Sequence, residues 1–276
     1  MNLDDVQLPD NYREIIDRFL AVCKSDERIL AALLGGSHAT GKGDKFSDLD
    51  LFLITTDGAY EKFLAEHDNF IRLLGEPLFI ERFGHVSCII FANGAEVDIW
   101  FSGQNKFNNI YADPYLVLLD KENFLSEREF PTRIVDQAKQ NVVLRQQIDW
   151  FWHEMSHFIK AMGRRHLWFA YGQIEAMRQI CVVLARLKHD FSDAYAGGGE
   201  PYFKIEQTLP LEALLPLHTT FCAMEYKTML QAALVLFRFY QDVAPSLAAA
   251  HELTYQSKLE QMMHHQLQAL ENVSPG

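Results

Sequence analysis

Four stretches of this chain combine residue types and spacings that can do chemistry. Gly35-Gly36-Ser37 follows an apolar run, Ile29 to Leu34, and removes side-chain bulk, so that backbone N–H groups and one hydroxyl can approach a phosphate closely. A polar link carrying Gly41 and Gly43 then leads to Asp48-Leu49-Asp50, which opens a second apolar run, Leu51 to Ile54. Residues two apart on a strand point to the same side, so Asp48 and Asp50 project together. Two carboxylates that close repel unless a cation lies between them. Mg²⁺ answers that need, because it binds through one or two carboxylates together with substrate phosphates.

The third stretch supplies another carboxylate. Asn93-Gly94 between two apolar runs is a hairpin signal. Its return strand alternates, with Val97, Ile99 and Phe101 on one face and Glu96, Asp98 and Trp100 on the other. Beside the Asp-x-Asp strand, this hairpin could bring Asp98, or Glu96 two residues away, into the same site. The fourth stretch, His153-Glu154-Met155-Ser156-His157, fits the His-Glu-x-x-His pattern of zinc peptidases, with Glu175 as a candidate third ligand and a zinc hydrolase as the implied alternative. Its flanks, Asp149-Trp150-Phe151-Trp152 and Phe158-Ile159-Lys160, instead suggest helix packing, which makes His153 and His157 wall or core residues.

Gly35-Gly36-Ser37, the Gly-x-Gly-Asp link and Ser47-Asp48-Leu49-Asp50 resemble the signature of the polymerase-β-type nucleotidyltransferase superfamily. The lead-in Ser25-Asp26-Glu27-Arg28-Ile29 is similar to that of the lincosamide nucleotidyltransferases, and the antibiotic (aminoglycoside) adenylyltransferases have comparable length. The resemblance implies transfer of AMP from ATP, with Mg²⁺ as cofactor, to a hydroxyl of a small-molecule acceptor, a lincosamide or an aminoglycoside. It implies that Asp48, Asp50 and Asp98 hold metal, that Asp98 takes the acceptor's proton, and that Gly36, Ser37 and Ser47 belong to the nucleotide site. Ser47 also reads as the cap of the turn before the metal strand, and Lys42 and Lys45 are exposed residues able to reach a phosphate. The order Arg186, Lys204, Tyr226 resembles that of the streptomycin/spectinomycin-type enzymes and implies contacts to ATP phosphates; the alternative makes Arg186 and Lys204 solvated surface residues. One departure stands out, for lincosamide enzymes can carry a glutamate where this chain has Asp50. A nucleotidyltransferase acting on protein or RNA, of the toxin-paired kind, is the rival activity.

These residues need elements to hold them. Spacing predicts a helix over residues 11–24, the Gly-Gly-Ser strand, the Asp-x-Asp strand, one helix from Thr56 or Asp57 to Leu74, a short strand at 78–82, the hairpin, and a strand at 115–120. From Pro131 onward, apolar residues recur at three and four. Helices follow, with a glycine loop at Gly197-Gly198-Gly199, a turn bracketed by Pro210 and Pro216, and helices at 217–240 and 247–270. The predicted class is α+β: a nucleotidyltransferase domain, 1–130, with a mixed sheet and flanking helices, then an all-α bundle, 131–276. Trp150, Trp152, Trp168 and Tyr171 are candidates for the acceptor pocket wall.

Residues 1–130 carry 12 Lys+Arg against 23 Asp+Glu, whereas residues 131–276 carry 13 against 14. An acidic catalytic half argues against nucleic acid and suits a cationic small acceptor. No run is long enough to span a membrane, and the acidic start MNLDDVQLPD is unlike a signal peptide, so a cytoplasmic location is expected. The four cysteines have no metal spacing and are expected as free thiols. Oligomeric state, a homodimer included, is left open.

Overall fold

The computed structural model describes residues 3, 6–105, 110–132, 134–196 and 200–272. Most of the glycine loop, Gly197 to Gly199, and part of the acidic N-terminal stretch lie outside them. The chain divides into two compact units, Met1–Ile134 and Val135–Gly276.

In the first unit the elements run α1 (Asp10–Ser25), β1 (Ile29–Leu34), α2 (Gly36–Ala39), β2 (Leu49–Thr55), α3 (Asp57–Ala65), α4 (His67–Leu74), β3 (Pro77–Phe83), β4 (Val86–Phe91), β5 (Glu96–Gly103) and β6 (Leu116–Asp120). The strands form one mixed sheet in the order β3-β4-β5-β2-β1-β6. All neighbours are antiparallel except β2 and β5, which run parallel. The helix predicted through Leu74 is two, broken at Glu66 (φ −104°, ψ 10°). Ser37 lies not on an open turn but in the four-residue α2.

The hairpin between β4 and β5 turns on Ala92-Asn93-Gly94. Gly94 takes φ +79°, a left-handed conformation that glycine accepts without cost, and its N–H donates to the Phe91 carbonyl at 2.9 Å. The Asn93 side-chain oxygen accepts from the Ala95 N–H. This turn sets the register Cys88 opposite Asp98 and Ile90 opposite Glu96. Strand alternation then separates two faces. Leu49, Leu51, Leu53, Ile89, Val97, Ile99 and Phe101 join α1, α3 and α4 residues such as Ile15, Phe19, Phe63 and Ile71 in the main core. The other face carries Asp50, Phe52 and Asp98, and the β1–β2 side of it packs Ala31, Leu33, Phe52 and Ile54 against Ile110, with Tyr115, Phe124 and Phe130 alongside.

The second unit is helical: α5 (Gln137–Gly163), α6 (Leu167–His189), α7 (Ile205–Thr208), α8 (Leu211–His218), α9 (Tyr226–Ala250) and α10 (Ser257–Ala269). Asp136 caps α5, its carboxylate accepting from the Ala138 and Lys139 N–H groups. The segment bracketed by prolines is α8 itself, with Pro216 inside it, and the helix expected over 217–240 begins only at Tyr226 and continues past Pro245 to Ala250. Among the described residues no helix is long and apolar enough to cross a membrane.

Two arginines are interior to this unit. Arg178, 1% exposed, donates to the Thr220 hydroxyl at 2.7 Å and carbonyl at 2.8 Å, pairs with Glu175 and lies over the Phe221 ring. Arg186 is fully buried, so it is not the solvated residue that was one expectation. It donates to the Pro201 and Phe203 carbonyls, to Thr208 Oγ1 and to Asp193, the last as an ion pair at 2.8 Å. Every nitrogen of its guanidinium thus has a partner, and these bonds fasten the connection between α6 and α7. Truncating one partner of a buried ion pair strands the other. Arg186→Ala is therefore expected to cost about 3–5 kcal/mol of stability, read by chemical denaturation, and Asp193→Ala a comparable loss.

Candidate active site

Parallel pairing of β2 with β5 sets Asp50 directly beside Asp98, and the chain entering β2 adds Asp48. The three carboxylates offer oxygens that all lie within 4.8 Å of one another. Among the described residues this is the only gathering of three or more His, Cys, Asp or Glu ligand atoms. Glu96 shares the face with Asp98 but is exposed and lies outside the cluster.

Burial raises the Asp98 carboxyl above the ordinary carboxylate range, and the negative charges of Asp48 and Glu96 add to that, while a hydrogen bond from Cys88 opposes it. The Cys88 thiol is pushed up to about 12 by burial and by its hydrogen bond to Asp98. Sequence reading passed over Cys88, although the register of an Asn-Gly hairpin already sets it opposite Asp98.

The glycine corner closes on the same place. The Gly35 N–H donates to the Asp50 carbonyl at 2.9 Å, so the end of β1 is tied to β2 at the carboxylate. Gly36 has φ +61°, and a Cβ there would fall 1.8 Å from an Asp50 carboxylate oxygen. Only a residue without a side chain fits. Ser37 Oγ is buried with no hydrogen-bond partner among the described residues. Next to it, His38 is 2% exposed, and a Cβ on Gly43 would meet its Nδ1 at 2.2 Å. Ser47 caps the turn before β2: its hydroxyl accepts from the Asp44 N–H at 3.0 Å and donates to the Asp44 carboxylate.

The residue pattern and this geometry agree with a comparison at the level of sequence families. Residues 10–270 match the family described as streptomycin adenylyltransferase. The chain belongs to that family. It is accordingly a nucleotidyltransferase, an enzyme. No curated protein sequence matches it. Among solved structures, an aminoglycoside 6-adenyltransferase from Bacillus subtilis is similar at 16% identity and TM-score 0.40, covering 96% of this chain and 100% of that one. A nucleotidyltransferase-like protein from Exiguobacterium sibiricum 255-15 is 11% identical with TM-score 0.36, covering 84% and 74%. The CdnE cyclic dinucleotide synthase of Elizabethkingia meningoseptica is 16% identical with TM-score 0.30, covering 88% and 80%.

In this streptomycin adenylyltransferase family member the remaining candidates belong to the helical unit. Lys204 holds φ +52° ahead of α7, its ammonium over the Phe203 ring at 4.8 Å. Tyr226 donates its hydroxyl to the Leu270 carbonyl at 3.2 Å and carries the Arg165 guanidinium on its ring face. Trp152 is 2% exposed in the helical core, which removes it from any pocket wall, whereas Trp150 and Trp168 are exposed. The His-Glu-x-x-His stretch does put its two imidazoles together, ring centroids 4.3 Å apart. Glu175, however, is engaged by Arg178, Gln179 and Tyr202, and no third ligand joins the pair among the described residues. The zinc reading therefore has no centre to rest on.

Two expectations follow from this geometry. Gly36→Ala should displace Asp50 and lower divalent-cation affinity at least tenfold, measured by titration calorimetry. The second concerns charge. A carboxyl with a raised folded pKa stabilises the fold while protonated, and that contribution is lost as pH rises through the folded value. Asp98→Asn stays neutral, so in chelator it should melt above wild type at neutral pH, and the gain should vanish as pH falls through the acid range.

Proposed function

We propose that the protein transfers AMP from ATP, with Mg²⁺, to a hydroxyl of a small cationic acceptor, an aminoglycoside in the first instance and a lincosamide in the second. The observation that carries the reading is the gathering of Asp48, Asp50 and Asp98 beside an unpartnered, buried Ser37 hydroxyl. These residues fit the cation: three hard oxygen donors on adjacent backbone, an excess of negative charge that is costly alone, and a side-chain-free glycine corner against one of the donors. Bound there, divalent metal would supply Lewis-acid polarisation of the acceptor hydroxyl and neutralisation of the triphosphate.

The chain's own groups do the rest. Asp48 and Asp50 would hold the cation that neutralises the triphosphate, and Gly36 and Ser37 offer phosphate oxygens a close backbone approach and a hydroxyl. Ser47 serves by fixing the turn from which Asp48 and Asp50 project. Asp98, on the strand beside Asp50, takes the proton of the attacking hydroxyl. The acceptor oxygen bonds to the α-phosphorus as the bond to pyrophosphate breaks, and the pyrophosphate carries away the negative charge. Lys204 is an exposed cation of the helical unit, and Tyr226 donates its hydroxyl to the Leu270 carbonyl. An acidic catalytic unit, 12 basic against 23 acidic residues over 1–130, favours the cationic small molecule over the rival RNA substrate.

Mass spectrometry of a panel of aminoglycosides and lincosamides, incubated with ATP and Mg²⁺, should reveal an acceptor carrying one added AMP. Asp48→Asn and Asp50→Asn should each slow that transfer on the order of a thousandfold, and chelator should abolish it reversibly. Turnover indifferent to both substitutions would sink the assignment.

A further inference from the structure

The carboxylate-bearing face of the sheet is covered over β1 and β2 and becomes exposed toward the β3 edge: Phe52 and Val86 are 7% exposed and Trp100 packs with the β1–β2 cluster, whereas β3 is largely exposed. Over β1 and β2 it is packed by Ile110, Tyr115 and Phe130. Over β5, β4 and β3 it continues outward in three rows defined by strand pairing: Asp50, Asp98, Cys88, Glu81; on one side Phe52, Trp100, Val86, Phe83; on the other Glu96, Ile90, Phe79. β3 is an edge strand exposed on both faces, Leu78 at 69% and the Arg82 side chain at 49%, and such an edge ordinarily carries charge. Here Phe79, Phe83 and Ile90 are 48%, 62% and 41% exposed, flanking Glu81. No lysine or arginine occupies a position on this face of β2, β3, β4 or β5; Arg82 points to the opposite side, where it pairs with Asp68 of α4. An exposed apolar patch interleaved with one sign of charge marks a binding surface for the opposite sign.

We infer that the open β3–β4 face is the acceptor platform, and that it takes an amphipathic polycation: saturated rings lie against Phe79, Ile90 and Phe83 while an ammonium or guanidinium group reaches Glu81. This deepens the proposed function and rests on it. Strand spacing puts Glu81 about 10 Å from Asp98, two strands away, so a molecule of two or three linked rings with a cation on Glu81 presents a hydroxyl to Asp98. A nucleotide is excluded from the platform by the same charges, which keeps the two substrates on opposite sides of the triad. Glu81, Phe79 and Phe83 are then specificity-determining residues.

The test measures binding separately from turnover. Wild type, Glu81→Gln and Phe83→Ser are titrated with streptomycin by calorimetry at low salt, and with Mg²⁺-ATP in parallel; both side chains are exposed, and thermal melts matching wild type document intact folding. Expected are streptomycin affinities about tenfold weaker in each variant, a wild-type affinity that falls with added salt, and unchanged Mg²⁺-ATP affinity. Wild-type streptomycin affinity in both variants overturns the platform even where AMP transfer is observed. Failure of wild type to bind streptomycin, with Mg²⁺-ATP binding intact, overturns the polycation assignment. Failure to bind Mg²⁺-ATP or to transfer AMP to any acceptor counts against the proposed function itself.

Discussion

Mutual repulsion of three carboxylates is the constraint around which the first unit is built. Two unit charges 4.8 Å apart repel by roughly 3–4 kcal/mol at an effective dielectric of about 20, less where water reaches them. Such a cluster persists only if the backbone leaves it no retreat. Adjacent strands provide that, since the pairing of Asp50 with Asp98 is set by the same hydrogen-bond ladder that buries Leu51, Leu53, Ile99 and Phe101 on the reverse face. Each such side chain contributes roughly 1.5–3 kcal/mol by burial, so a few of them outweigh the repulsion. Burial raises the Asp98 carboxyl above its ordinary range, and the charges of Asp48 and Glu96 add to it.

Charge is handled differently in the helical unit. Arg178 and Arg186 are withdrawn from solvent and satisfied by Glu175, Asp193 and backbone carbonyls, so their positive charge is neutralised inside the fold. They join segments that helical periodicity alone would not hold: Arg178 fastens the end of α8 through Thr220, and Arg186 the connection between α6 and α7. Only the Arg186–Asp193 pair is buried on both sides, Glu175 being 37% exposed, and there desolvation consumes much of the attraction.

Much of the catalytic unit was legible because its signals are local. The Gly-Gly-Ser corner, the spacing of Asp48 and Asp50 and the Asn93-Gly94 turn each act within a few residues, and alternation along β5 correctly separated Asp98 from Val97 and Ile99. What escaped depends on partners distant in sequence. Leu217 seemed to open a helix because apolar spacing continues past it, yet Thr220 is held by Arg178, 42 residues earlier, and α9 starts only at Tyr226. The gap expected between residues 240 and 247 is helical too, since α9 runs through Pro245 to Ala250. Arg186 resembled a free cation only because Asp193 and the Pro201 and Phe203 carbonyls cannot be read as its partners from spacing.

The lone parallel pair in an otherwise antiparallel sheet has a consequence for how the enzyme comes into being. The β3–β4–β5 meander closes through short turns and can form early, whereas β5 meets β2 only by closing a long loop. Asp50 and Asp98 belong to opposite sides of that late event, so a chain with most of its local structure in place still lacks a cation site. Divalent metal would then bind the finished sheet and none of its precursors, drawing the folding equilibrium toward the native state by mass action.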